Sequence, residues 1–378
     1  MYIPYGRQSI DEDDIRAVVE VLKSDFLTTG PKIQQFEKRV ADYVGAKYAV
    51  AVNSGTAALH IACLAAGISE NDEVITSPIT FAASANCVLY CNGKPVFADI
   101  DPDTYNIDVE DIKKKITPNT KAVIPVHFTG QPCDMDEIIS LARMNNLIVI
   151  EDAAHALGAE YKNRKIGSIA DMTCFSFHPV KPITTGEGGM VVTNDEELYK
   201  RLILFRGHGI TREENQLERN EGAWYYEQQE LGYNYRITDI GCALGYSQMD
   251  KLDEFIQKRR ELAKRYDEGF LGLKGIKIPV QREIALSGWH LYIILVEEGR
   301  RKEIFEKLRG EGIGVNVHYL PVYRHPFYRK NGYADTYLEN AENFYERAIT
   351  LPLYPTLTYQ EQDYVISTVK RLVQNDAG

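Results

Sequence analysis

Lys181 lies in "CFSFHPVKPITTGEGGM", residues 174–190, between Pro179 and Pro182 and ahead of Gly186, Gly188 and Gly189. Pro182 steers Lys181 away from helical geometry, and Pro179 stiffens the approach. The glycines let another backbone, or a bound group, come close. A lysine held this way can be stripped of water, which lowers its pKa and frees its lone pair to attack a carbonyl carbon. A solvated loop lysine is the plainer reading, but it leaves the prolines and glycines unexplained. Two other stretches supply what such an amine needs. In "LIVIEDAAHALGA" an apolar run ends in Glu151 and Asp152. A carboxylate buried there needs a cation or hydrogen bonds, unless Asp152 simply caps a following helix. In "AVNSGTAAL" an apolar run breaks at Asn53-Ser54-Gly55 before a helix beginning at Thr56 or Ala57. The free N–H groups and hydroxyls there suit a phosphate, or an ordinary N-cap.

An amine for a Schiff base, a carboxylate for a cationic ring nitrogen and a phosphate cradle are the requirements of pyridoxal 5′-phosphate (PLP). The separation 181 − 152 = 29 residues leaves room for one strand between carboxylate and lysine.

These residues need a frame. From about residue 48 to 195, β-rich runs ("KYAVAVN", "DEVITSP", "KPVFADI", "KAVIPVHF", "LIVIEDA", "MTCFSFH", "GMVVTN") alternate with helical stretches. Several runs are apolar without alternation, as in strands covered on both faces, so the expected fold is α/β with a mostly parallel sheet between helices. Helical "ITDIGCALGYSQMDKLDEFIQKRRELAKRYDEGF" leads to a smaller C-terminal α/β unit containing "WHLYIILV", "RKEIFEKLRGEG", a strand "IGVNVHYL" and a closing helix "EQDYVISTVKRLVQ". The expected division is residues 1–250, an N-terminal arm with the large PLP-binding domain, and residues 251–378, the small domain. The opening "MYIPYGRQSIDEDD" reads as an extended arm before a helix capped at Ser9, not as a targeting peptide.

At 378 residues, 44% hydrophobic and 26% charged, the composition is that of a globular protein with a large core. A net charge of −11 without a basic block argues against nucleic acid as a partner. No apolar run reaches the ~18 residues of a membrane span. Six scattered cysteines without a CxxC pair read as reduced thiols of a cytoplasmic protein.

The ordered stretches "NSGTAAL", "SPITFAASAN", "IEDAAHALGAEY", "FSFHPVKPITTGEGGMVVTND", "FRGHGI" and "GYNYRITDIGCALG" resemble the DegT/DnrJ/EryC1/StrS family of sugar aminotransferases, of PLP fold type I, over essentially the whole chain. "AAHALG" and "SFHPVKPITT" are most similar to its branch making UDP-4-amino-4,6-dideoxy-N-acetyl-β-L-altrosamine for pseudaminic acid. The resemblance implies that PLP, alternating with its pyridoxamine form PMP, is the cofactor. L-glutamate would be the amino donor and a UDP-linked 4-keto-6-deoxy-N-acetylhexosamine the acceptor. Lys181 would form the Schiff base and shuttle the proton, and Asp152 would pair with the pyridine nitrogen. Gly55, Thr56, Ala57 and Ser176 would hold the phosphate, and Phe81 would stack on the ring. His155 stands where the wider family commonly has Gln, and would contact the cofactor. Asn234 would reach the phosphate of a neighbouring subunit's cofactor, so that a homodimer shares its sites. Tyr5, the segment Asp25, Phe26, Leu27 and Thr28, and the segment Asn316, Val317, His318 and Tyr319 would bind the nucleotide sugar. Phe81 as plain core and Ser176 as an inward strand hydroxyl remain the alternatives, and Arg206 and Arg236 are anion candidates or structural ion pairs. An aminotransferase for another keto nucleotide sugar (bacillosamine- or perosamine-type), or a non-catalytic PLP-binding regulator, are the rival functions.

Overall fold

The structure, a computed structural model, describes residues 2–374. Helix α1 (Glu12–Leu22) begins later than the sequence suggests: Asp11, not Ser9, is its cap, accepting from the N–H groups of Asp13 and Asp14 at 3.0 and 3.1 Å. A carboxylate adds attraction to the helix dipole that a serine hydroxyl lacks. The arm before it pairs with the C-terminal part of the chain, where the Ile3 N–H donates to the Gly312 carbonyl (2.9 Å) and the Gly314 N–H to the Ile3 carbonyl (2.6 Å).

The main sheet has seven strands: β1 (Tyr48–Val52), β2 (Glu73–Thr76), β3 (Lys94–Phe97), β4 (Thr120–Ile124), β5 (Ile148–Asp152), β6 (Met172–Ser176) and β7 (Gly189–Thr193). Their order across the sheet is β1-β7-β6-β5-β4-β2-β3. Every pairing is parallel except those of β7, which runs against both β1 and β6. The strands are apolar on both sides because both faces are covered. One face packs on α2 (Pro31–Val44), through Ile33, Phe36 and Val40, and on Ile138 and Leu141. The other packs on α3 (Gly55–Ala65) through Ala58, Leu59 and Ile61, on α4 (Ala83–Tyr90) through Cys87 and Val88, and on Leu202 and Phe205. This topology sets Asp152, the last residue of β5, beside β6, whose following loop carries Lys181.

The long helical run after residue 237 is two helices, Asp239–Gln248 and Leu252–Phe270. The second reaches both cores: Leu252 and Ile256 pack with the large one, and Leu262, Ala263 and Tyr266 with a second core around Tyr292, Ile294 and Val365. There the strands Ile276–Lys277, Tyr292–Val296 and Ala348–Leu351 form an antiparallel sheet. "IGVNVHYL" is not a strand of it. Ile313 and Asn316 make only isolated bridges to Ile3 and Thr350. The Val317 N–H donates to the Asn316 side chain at 2.8 Å, a local side-chain-to-backbone bond of the kind found where a chain leaves regular structure.

Candidate active site

A cleft of about 840 Å³ opens at the carboxyl ends of β1, β5 and β6. Such ends are where parallel sheets present their functional groups. Its walls include Ser54, Gly55 and Thr56 from the β1–α3 turn, with Phe81, Asp152, His155, Ser176 and Lys181. Tyr5 of the arm and Asn316, Val317, His318 and Tyr319 close it from the other side. Most of the sequence-chosen residues therefore converge.

Asp152 is 5% exposed and caps no helix; the chain turns after it. Its Oδ2 accepts from Ser84 Oγ at 2.6 Å and its Oδ1 from the Ala154 N–H at 3.1 Å, and among the described residues no cation pairs with it. A buried carboxylate facing a cleft with only neutral donors fits a cationic ring nitrogen.

At the cradle, α3 starts at Gly55, a residue earlier than expected, with Ser54 as its cap. Ser54 Oγ takes the Ala57 N–H at 3.0 Å, and Ala57 does not line the cleft. The serine satisfies that donor, and Gly55, Thr56 and Ser176 are the residues of this region in the wall. A Cβ on Gly55 would lie 2.9 Å from that of Ser176, so the notch exists because residue 55 has no side chain. Gly189 serves the same turn, since a Cβ there would meet the Ser54 carbonyl oxygen at 2.4 Å. Gly189→Ala is expected to destabilise the fold by about 1–3 kcal/mol through overpacking and to loosen PLP retention. Thermal melts and cofactor content after dialysis check this.

Pro179 and Val180 form a turn in which the Lys181 N–H donates to the His178 carbonyl at 2.9 Å. The turn points the lysine into the cleft, where Nζ lies 3.4 Å from His290 Nε2. Burial pushes the amine down to about 8, with Arg259 adding to the fall and Asp152 opposing it. The lowered value fixes a sign. Between pH 8 and the ordinary 10.5 the unfolded chain binds more protons than the folded one, so stability rises with pH across that window. Lys181→Met should therefore raise the melting temperature at pH 7, by a margin that shrinks from about pH 8 to 10.5; a constant margin would contradict the buried ammonium.

His155 is buried, its Nε2 3.4 Å from the Tyr319 hydroxyl. Burial, then the neighbouring Lys181 and His318, hold it well below its usual pKa, so the ring is neutral. His318 is bound by Thr350 Oγ1 at 2.8 Å and Asn316 Nδ2 at 3.3 Å, and burial brings it down to about 3. Phe81 is 63% exposed, its ring 6.3 Å from that of Tyr319, so it is not plain core; Tyr5 lies 5.5 Å from His318.

Asp25, Phe26, Leu27 and Thr28 do not line the cleft. They are exposed on the α1–α2 loop, which is tied down by the Asp239 N–H donating to the Leu27 carbonyl at 3.0 Å. Asn234 is also exposed and outside the cleft, its carbonyl accepting from Asn53 Nδ2 at 3.4 Å. Arg206 is a structural ion pair with Glu37 (2.5 Å) and, with Arg236, lines a separate cavity of about 920 Å³. The sequence reading missed three residues. Ser84 holds Asp152. Arg259, 1% exposed and held near a pKa of about 10 by burial, donates to the carbonyls of Leu353 (2.8 Å), His290 (3.3 Å) and Val180 (3.5 Å). His290 meets the lysine.

Residues 8–370 match the DegT/DnrJ/EryC1/StrS aminotransferase family. The spore coat polysaccharide biosynthesis protein SpsC of Bacillus subtilis is 45% identical over 99% of this chain and 97% of its own. The UDP-4-amino-4,6-dideoxy-N-acetyl-β-L-altrosamine transaminase of Campylobacter jejuni (strain 81-176) is 41% identical over 98% of each chain. Among solved structures, Helicobacter pylori PseC, an aminotransferase involved in the biosynthesis of pseudoaminic acid, superposes with a TM-score of 0.92 at 35% identity, covering 99% of this chain and 100% of that one. Relatives of the same fold are solved in PLP and PMP forms. The fold expected from the sequence is the one observed, and the chain belongs to the DegT/DnrJ/EryC1/StrS aminotransferase family, whose cofactor is PLP.

Proposed function

We propose that this enzyme moves an amino group from L-glutamate to C4 of a UDP-linked 4-keto-6-deoxy-N-acetylhexosamine, giving UDP-4-amino-4,6-dideoxy-N-acetyl-β-L-altrosamine for pseudaminic acid. One observation carries the reading: the unpaired carboxylate of Asp152 and the amine of Lys181 share a cleft with the polar residues Tyr5, Asn316, His318 and Tyr319. PLP, when bound, supplies an aldehyde that exchanges amines and a ring that takes up electrons from the substrate carbon. Asp152 would keep a proton on the ring nitrogen. Gly55, Thr56 and Ser176 would hold the phosphate, with Phe81 and the neutral His155 against the ring. Lys181 would remove and return the proton at the substrate carbon. Tyr5 and Asn316, Val317, His318 and Tyr319 would receive the sugar, with Asp25 to Thr28 reaching it only as part of a larger assembly. Asn234, exposed in one copy, would complete the phosphate site of a second, which makes a homodimer the working form.

Residues 1–250 would form the cofactor domain and 251–378 the smaller one, with the helix Leu252–Phe270 packed on both. A cytoplasmic setting suits six cysteines that are all buried and unpaired, and no helix among the described residues is long and apolar enough to cross a membrane. The 45% identity to SpsC supports a second reading, in which the acceptor is another keto nucleotide sugar. Incubating the purified enzyme with PLP, L-glutamate and a panel of 3- and 4-keto nucleotide sugars, with product configuration read by NMR, tests both. A product other than the altrosamine sugar selects the second, and failure to form 2-oxoglutarate with any acceptor overturns both.

A further inference from the structure

His290 is 4% exposed and its Nε2 is the nitrogen beside Lys181 Nζ, at 3.4 Å. The backbone of His290 is fixed on both sides, and the ring packs on His155. The His290 N–H donates to the Thr129 carbonyl at 2.8 Å, its carbonyl accepts from Arg259, and its ring lies 4.5 Å from that of His155. Trp289 before it has φ +46°, a backbone region that a tryptophan rarely adopts, so packing imposes this placement. His290 Nδ1 is buried without a hydrogen-bond partner. Among the described residues the partner of Lys181 Nζ is His290 Nε2, while His155 Nε2 meets Tyr319, His318 is bound by Thr350 and Asn316, and Asp152 by Ser84 and Ala154.

We propose that His290 is a catalytic residue whose Nε2 accepts the proton that Lys181 gives up and hands it back when the amine is recharged. This rests on the aminotransferase reading of the cleft. In the outward step one Nζ–H bond of the lysine ammonium breaks and an Nε2–H bond forms. The bonding pair stays on Nζ as the lone pair that attacks, and the imidazole becomes an imidazolium. The return step reverses each change, so neither a proton nor an electron is consumed overall. The groups facing His290 are Lys181 from the loop after β6, His155 from the loop after β5, Arg259 from the helix Leu252–Phe270, and His318 from the segment before the strand Ala348–Leu351; Asp152 faces Lys181. Burial first, then Lys181, His155, Arg259 and His318, keep His290 well below its usual pKa. The imidazolium is therefore short-lived and returns its proton readily.

Competitive acetylation of the cofactor-free protein across pH, with Lys181 followed by peptide mass spectrometry, reads the contact without turnover. An acceptor beside the ammonium stabilises it, so His290→Phe is expected to lower the Lys181 midpoint by about one pH unit, while His290→Gln, which keeps an acceptor, stays near wild type. In the PLP-loaded enzyme, His290→Ala should slow the half-reaction with L-glutamate by about 100-fold or more, with partial recovery on adding imidazole. A wild-type midpoint in folded His290→Phe, or slow turnover without imidazole recovery, overturns the proposal. If the phenylalanine variant does not fold, the alanine variant's midpoint and imidazole response decide. A wild-type enzyme that never reacts with L-glutamate would instead sink the aminotransferase reading, and the acetylation arm would still decide the contact.

Discussion

Lys181→Ala is expected to lower turnover by about 10³-fold or more and to leave PLP no longer fixed to the chain by borohydride reduction, read as a mass increment on the 174–190 peptide. The alanine removes the one amine that the cleft aims inward, and no other lysine lines that cavity. Lys181→Arg separates charge from chemistry, because a guanidinium keeps the positive charge but not a lone pair free to attack. It should be as inactive as the alanine variant. An arginine variant with substantial activity would mean that the lysine acts only through its charge.

Asp152→Asn is expected to reduce turnover by about 10²–10³-fold with the fold and most PLP binding retained. The amide has the shape of the carboxylate and can still accept from Ser84, whose Oγ lies 2.6 Å from Oδ2. What it lacks is the charge that would keep a ring nitrogen protonated. Bound PLP by absorbance and turnover by 2-oxoglutarate release, measured together, separate a lost cofactor from a lost charge. Full activity in the variant would remove Asp152 from its role.

Lys181 and Asp152 could be picked out by eye because each sits where its residue type is out of place: an amine penned by prolines, a carboxylate ending an apolar strand. The sheet was legible for a related reason, since strands covered on both faces show as unbroken apolar runs. His290, Ser84 and Arg259 carried no such mark. His290 sits in a bend just before a strand, Ser84 is a small residue in a helix, and Arg259 is half of an Arg-Arg pair whose buried role depends on carbonyls 31, 79 and 94 positions away in sequence. Long-range contacts of this kind leave no local pattern. The opposite error occurred at "IGVNVHYL", where alternation suggested a strand but the segment makes only isolated bridges, from Ile313 to Ile3 and from Asn316 to Thr350. Asp25 to Thr28 were placed by resemblance alone, and in one copy they stay in solvent.

The antiparallel strand β7 has a bearing on synthesis. β1, complete by residue 52, finds its only sheet neighbour among the described residues in Gly189–Thr193. A nascent chain must carry that apolar ribbon with its edge open for well over a hundred further codons, so the earliest-made strand is the last to be enclosed. Such delayed closure slows folding and invites unwanted strand pairing in the interval.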